Sequence, residues 1–272
     1  MIEALQFEFM RNALLAGLLA SIACGVIGTF VVVNRMVFIS GGIAHAAYGG
    51  IGLAFFFGLS PTLGILGFSL LVSVLMAAVS SKAKHRADTI IGVLWAVGMA
   101  LGVILLDLTP GYNVDLMSYL FGSILTVPTY DLWLMLILNG LIVLSIGFFY
   151  HDLLALSYDE DFARVRGVSV NILYFLLMAM IALSVVIIIQ VVGLILVIAL
   201  LTISPYIAEK FSGSLLEMMF YSVLLNLFFT LAGLWISYSF NLTSGASIIM
   251  VGAGCFFVSL LIEYLKPKLS TH

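Results

Sequence analysis

Residues Ile172 to Ile203 read ILYFLLMAMIALSVVIIIQVVGLILVIALLTI, 32 residues without a single Asp, Glu, Lys or Arg. A helix rising 1.5 Å per residue needs about 20 apolar residues to cross about 30 Å of hydrocarbon. As one straight helix the run would reach about 48 Å, well beyond any bilayer core. Gln190 and Gly193 stand near its end-to-end midpoint, so the run reads either as one over-long span or as two short spans joined by a tight turn.

The rest of the chain speaks the same language. Of 272 residues, 64% are hydrophobic and 8% charged, with a mean hydropathy of +1.28. Soluble domains carry about 45–50% apolar and about 25% charged residues. This composition excludes a soluble enzyme, a disordered chain and a coiled-coil rod. A net charge of −3 leaves no basic surface for nucleic acid. Further apolar runs cover Met10–Val33, Ile39–Gly58, Pro61–Ser80, Thr89–Asp107, Leu132–Phe149, Leu215–Phe240 and Ser244–Leu265. The fold class is an all-α integral membrane protein, a polytopic bundle of 8–9 transmembrane helices in one domain over residues 1–272.

Charge arbitrates between eight and nine. Basic residues near span ends collect on the cytoplasmic side. If the chain turns back near Gly193, nine of the 10 basic residues share one side: Arg35, Lys82, Lys84, Arg86, Arg164, Arg166, Lys210, Lys266 and Lys268. Arg11 alone is opposite, beside an acidic outer stretch holding Asp107, Asp115 and Asp131. A single crossing would scatter this pattern, so nine spans are expected, with the N-terminus outside and the C-terminus cytoplasmic. The first apolar run lacks a preceding basic residue and a following A-x-A site, and so reads as a span rather than a leader. Cys24 and Cys255 sit inside apolar runs and read as packing residues.

Polar and small residues within spans carry the functional signal. In Ser40-Gly41-Gly42-Ile43-Ala44-His45-Ala46-Ala47-Tyr48-Gly49-Gly50, helical spacing places Gly41, His45, Gly49 and Gly52 on one stripe. One reading is close helix packing, with His45 bonded across the interface. The other is a path in which the imidazole is a transient ligand for a divalent cation. Composition favours packing. Gly98 and Gly102 form a small-residue contact motif, and Gln190 with Gly193 suits either a helix break or a pore lining. The stretch Ser157-Tyr158-Asp159-Glu160-Asp161-Phe162-Ala163-Arg164-Val165-Arg166-Gly167 places acids first, arginines last and Gly at the end, as a short helix does. It reads as an ordinary solvated helix or as a docking knob for a soluble partner. The absence of G-x-x-x-x-G-K-[ST] means that the chain holds no phosphate-cradling loop of its own.

Together these stretches make the chain resemble the membrane permease of metal-ion ABC importers, the family that takes up zinc, manganese or iron. The resemblance runs through Phe9–Gly17, Ser40–Gly50, Asp88–Gly92, Leu120–Leu125, Gln190–Gly193, Leu200–Pro205 and Ser244-Gly245. It implies a cytoplasmic coupling helix whose acid, Ala and Gly match Asp161, Ala163 and Gly167, within a cluster that includes Asp159, Glu160 and Arg164. It also implies a metal-coordinating Asp four residues before the His. Gly41 stands there instead, so His45 alone carries over as a metal ligand, with Gly41, Gly49 and Gln190 packing along the path. Loss of a hard oxygen ligand favours zinc over manganese as cargo, with iron a further alternative. Asp88 matches a family acid but opens a helix at the cytoplasmic end, where capping suffices.

Further implied are a homodimer in the bacterial cytoplasmic membrane, separate ATP-binding subunits and an extracytoplasmic metal-binding protein. The chain itself is then a transport subunit without enzyme activity or bound cofactor. Three alternatives stand beside this: a permease for a metal chelate or vitamin, an intramembrane serine hydrolase using Ser244 with His45, and an ion-coupled carrier. The carrier is disfavoured because the acids lie at span ends and not mid-span.

Overall fold

A computed structural model describes the backbone of residues 6–82, 87–110 and 120–269, and side chains throughout these except at 81, 82, 190, 195, 196 and 266–269. The elements are α1 (Glu8–Val33), α2 (Val37–Ala46), α3 (Tyr48–Phe57), α4 (Pro61–Lys82) and α5 (Ala87–Asp107). After a 3-10 turn at Ile124–Thr126 come α6 (Thr129–Tyr158), α7 (Glu160–Val165), α8 (Val170–Glu209), α9 (Leu215–Phe240) and α10 (Ser244–Leu269). Among the described residues there is no strand. Eight segments of the described residues are long and apolar enough to cross a membrane, α2 and α3 together forming one of them.

The long run bends at Gly193, whose φ of 75° and ψ of 175° interrupt α8. Neighbours along its two arms fix their directions. The first arm starts beside Ser80, Ala87 and Arg164, with which Asn171 and Tyr174 line a common cavity. At the bend, a Cβ on Gly193 would lie 2.5 Å from the Leu120 carbonyl oxygen and the Phe121 carbonyl carbon. Beyond it, the Leu201 carbonyl lies 2.5 Å from a Cβ built on Gly28, and Glu209 shares a cavity with Val33, Arg35 and Tyr158. Both arms thus have their far ends at the Arg35 end of the bundle, and the chain reverses at Gly193. The return arm, residues 194–209, rises only about 24 Å. The expected reversal is present, but the ninth pass is a short one beside eight full-length spans.

The charge map follows from this reversal. Arg35, Arg164, Arg166 and Lys210 share one end, where Lys210 pairs with Glu263 at 2.7 Å. The backbones of Lys82, Lys266 and Lys268 reach the same end, and Arg11 is opposite. Lys84, Arg86 and Asp115 lie outside the described residues. The basic end is the cytoplasmic one, and the molecule is a multi-pass protein of the cytoplasmic membrane.

α1, the α2–α3 span and the first arm of α8 form the buried centre, while α5, α6 and α10 turn broad apolar faces outward to lipid. Hydroxyls and amides join helices inside: Thr29 donates to Ser222 at 3.4 Å, Ser21 meets Thr230 at 3.5 Å and Asn34 donates to Ser157 at 3.0 Å. Such bonds hold helices together where lipid supplies no hydrophobic drive. Asp131 departs from expectation. It does not face outward with the acidic loop but lies 4% exposed in the first turn of α6, accepting a bond from Thr62 at 3.3 Å.

Candidate metal path and coupling segment

The second span is two helices separated by Ala47, two residues after His45. The Ala47 N–H still bonds the Ile43 carbonyl at 3.0 Å, and Gly50 bonds back to Ala47 at 2.9 Å, so the break is one tightened turn. Small residues fix its surroundings. A Cβ on Gly41 would sit 2.5 Å from Cδ1 of Ile198 on the return arm. One on Gly49 would sit 2.7 Å from the Phe68 ring and 2.9 Å from the Gly98 carbonyl oxygen, and one on Gly52 would sit 2.5 Å from the Gly102 carbonyl oxygen. The two glycine motifs read from the sequence therefore meet each other, pressing α5 against α2 and α3. Gln190 lies in the first arm, ahead of the bend, and its side chain lies outside the described residues.

This close approach brings Trp95 of α5 onto His45. The two rings are nearly parallel, with centroids 4.3 Å apart and 8° between planes. The indole N–H donates to the Met99 Sδ at 3.0 Å, and Phe38 tilts against the indole at 6.2 Å. His45 is partly exposed, and no hydrogen bond joins its ring nitrogens to another described residue. Among the described residues no group of three or more His, Cys, Asp or Glu is placed to hold a metal ion. Nothing in the sequence motif pointed to Trp95, which lies fifty positions away with no shared periodicity.

Ser244, the candidate nucleophile, is buried at the start of α10, where its Oγ accepts a bond from the Ile124 N–H at 3.3 Å. That contact ties the outer connection to α10. His45 is not among its partners, so the hydrolase reading has no support.

At the cytoplasmic end, α7 is built as its sequence predicts. The Asp159 carboxylate accepts a bond from the Phe162 N–H at 3.0 Å and caps the helix. Glu160 pairs with Arg164 one turn later. Gly167 takes φ +80°, its N–H bonding the Arg164 carbonyl at 3.0 Å while the Val168 N–H bonds that of Ala163 at 3.1 Å. These two bonds are a Schellman closure, which needs a left-handed residue at the position that glycine fills. Ala163 is buried under the helix, whereas Asp161, Arg164 and Gly167 are exposed. Phe162 and Val165 present apolar side chains to solvent, at 54% and 88% exposure, with the Arg166 guanidinium over the Phe162 ring. Sequence reading picked out the charges here and missed this apolar pair. Asp88 is exposed in the first turn of α5.

Known proteins resemble this chain over nearly its full length. The membrane protein slr2045 of a Synechocystis strain is 52% identical over 260 residues, covering 96% of this chain and 92% of its own. The manganese import system permease protein ScaB of Streptococcus gordonii is 34% identical over 266 residues, covering 96% and 95%. Among solved structures, PsaBC from Streptococcus pneumoniae in complex with Fab superposes with a TM-score of 0.88 at 34% identity, covering 98% of each chain. The model of the ABC 3 transport family matches residues 6–263, nearly the full length. The chain belongs to the ABC 3 transport family.

Proposed function

We propose that this chain is the permease of an ATP-driven importer that carries a divalent first-row metal ion into the cytoplasm. The observation that carries the reading is full-length likeness to a permease named for manganese import, at 34% identity over 96% of this chain. On this reading residues 1–272 act as one permease domain. Two copies pair so that the partly exposed His45 of each faces a shared path, and each imidazole is a transient ligand for the passing ion. Gly41, Gly49 and Gln190 pack the walls of that path. The segment Asp159, Glu160, Asp161, Ala163, Arg164 and Gly167 receives a separate ATP-binding subunit, and a metal-binding protein outside the membrane delivers the cargo.

Manganese is the first candidate for cargo, because relatives bear its name. Zinc is the second, and the residue favouring it is Gly41. With glycine there and imidazole at His45, the path lacks the hard carboxylate that manganese prefers, and borderline zinc accepts nitrogen readily. The test is uptake into proteoliposomes holding the assembled importer, with ATP inside and radioactive manganese or zinc outside. ATP-dependent uptake of either metal supports the proposal and names the cargo. Absence of uptake for both, with ATP hydrolysis intact, overturns it.

A further inference from the structure

We propose that Trp95 is the positioning residue of His45, its indole face setting the imidazole plane and favouring the metal-bound ring over the free one. This inference rests on the reading of His45 as a ligand.

A histidine that binds a metal is ordinarily oriented through its second nitrogen, which donates to a carboxylate or backbone carbonyl. No such partner is present for His45 among the described residues. The face of its ring is held instead, by an indole 4.3 Å away and 8° from parallel. A face contact engages neither ring nitrogen, so it takes no donor atom away from an ion. The indole is itself restrained, by the Met99 thioether at 3.0 Å and by Phe38 at 6.2 Å. Its helix is pinned at this level, because a Cβ on Gly98 would lie 2.8 Å from Ala46. The stack is therefore imposed by helix packing and does not depend on bound cargo.

Electrostatics acts in the same direction. Coordination to a divalent ion draws electron density from imidazole and leaves the ring partly positive. The indole face is negative and attracts such a charge, as it does any cation placed over it. Loss of this attraction weakens metal binding by about 2- to 30-fold. Ions held at His45 also lie next to a fluorophore.

The experiment uses the assembled importer in proteoliposomes. The chain holds 3 tryptophans, so Trp133→Phe and Trp235→Phe leave Trp95 as its sole tryptophan, and its signal is the emission that a matched assembly also carrying Trp95→Phe lacks. Cobalt(II), a quenching stand-in for the cargo, should reduce Trp95 emission saturably, and His45→Ala should abolish that saturable phase. Trp95→Ala should raise the KM for uptake about 2- to 30-fold with a smaller change in kcat. Trp95→Phe, which keeps a flat aromatic face, should restore most of the loss, and Trp95→Leu, which fills space alone, should not. Equal uptake by the Leu and Phe variants, or quenching without saturation, overturns the role of Trp95 even if Trp95→Ala fails to assemble. If His45→Ala itself transports normally, the ligand reading fails and this inference falls with it. Impaired His45→Ala beside an unchanged Trp95→Ala removes Trp95 alone.

Discussion

Gly122 and Gly193 meet backbone to backbone, each so close that a Cβ on one would collide with the amide nitrogen of the other. Both hold positive φ, 66° and 75°. The outer connection is thereby pressed onto the bend of α8, and neither residue tolerates a side chain. With φ 75° and ψ 175°, Gly193 occupies a region essentially closed to other residues, so Gly193→Ala costs about 1–3 kcal/mol in backbone strain and must also displace the Gly122 backbone. Gly140→Ala is the matched control, since its Cβ would meet nothing within 4 Å on a regular helix. The expected outcome is loss of folded protein for Gly193→Ala and a gain of about 0.5–1 kcal/mol for Gly140→Ala. Thermal unfolding of the purified chains in detergent checks both.

Asn226 is 1% exposed, and neither atom of its amide has a hydrogen-bond partner among the described residues. It lies one turn from Ser222 and one from Thr230, both bonded to α1, so it faces the same seam. An orphaned buried amide is destabilising, and replacing it with an apolar group of like size removes that burden. Asn226→Leu should leave the melting temperature unchanged or raise it by the equivalent of about 1–3 kcal/mol. A marked fall would mean that the amide has a partner, such as an ordered water.

Gly167 closes α7 in the left-handed region with open space around it. Gly167→Ala should therefore strain the helix end by about 1–2 kcal/mol without disturbing the bundle. The chain should melt as the parent does, while the ATP-binding subunit co-purifies less well and less metal moves per ATP hydrolysed. Normal coupling in this variant would exclude the α7 closure from the docking surface.

Gly41→Asp would place a carboxylate one turn from His45, but its Cβ would meet the tip of Ile198 at 2.5 Å. The single variant should transport poorly. Adding Ile198→Ala makes room, and the double variant should favour manganese over zinc more strongly than the parent, since carboxylate oxygen suits the harder ion. Uptake of radioactive manganese against increasing unlabelled zinc reads the shift, and an unchanged ratio would remove position 41 from ion choice.

Much of this structure is legible in the sequence where one local rule is enough. The reversal inside α8 follows from charge, because only a turn near Gly193 places Lys210, Lys266 and Lys268 with the other basic residues. The end of α7 follows from acids, arginines and a glycine in the order a short helix requires. Asp131 is misread because an acid just after Pro128 looks like part of a loop. In fact α6 begins at Thr129, and Thr62 of another helix supplies a donor. The contact of Trp95 with His45 is invisible for a related reason. It depends on how closely α5 approaches α2, and Gly98 and Gly102 say that something packs there without naming what arrives. The preference for zinc came from one missing carboxylate, a local signal that the names of relatives do not share.

The short return arm bears on how the protein is made. Residues 194–209 rise about 24 Å, less than the roughly 30 Å of hydrocarbon a freestanding span must fill. Such an arm gains little by entering lipid alone, and Gly193 must reach the Gly122 backbone, which emerges from the ribosome some seventy residues earlier. The return arm therefore takes its place in the bundle from its packing on α1 and from the Gly122–Gly193 contact, not from lipid alone. A fault in α1 should accordingly be felt as a failure to seat residues far downstream.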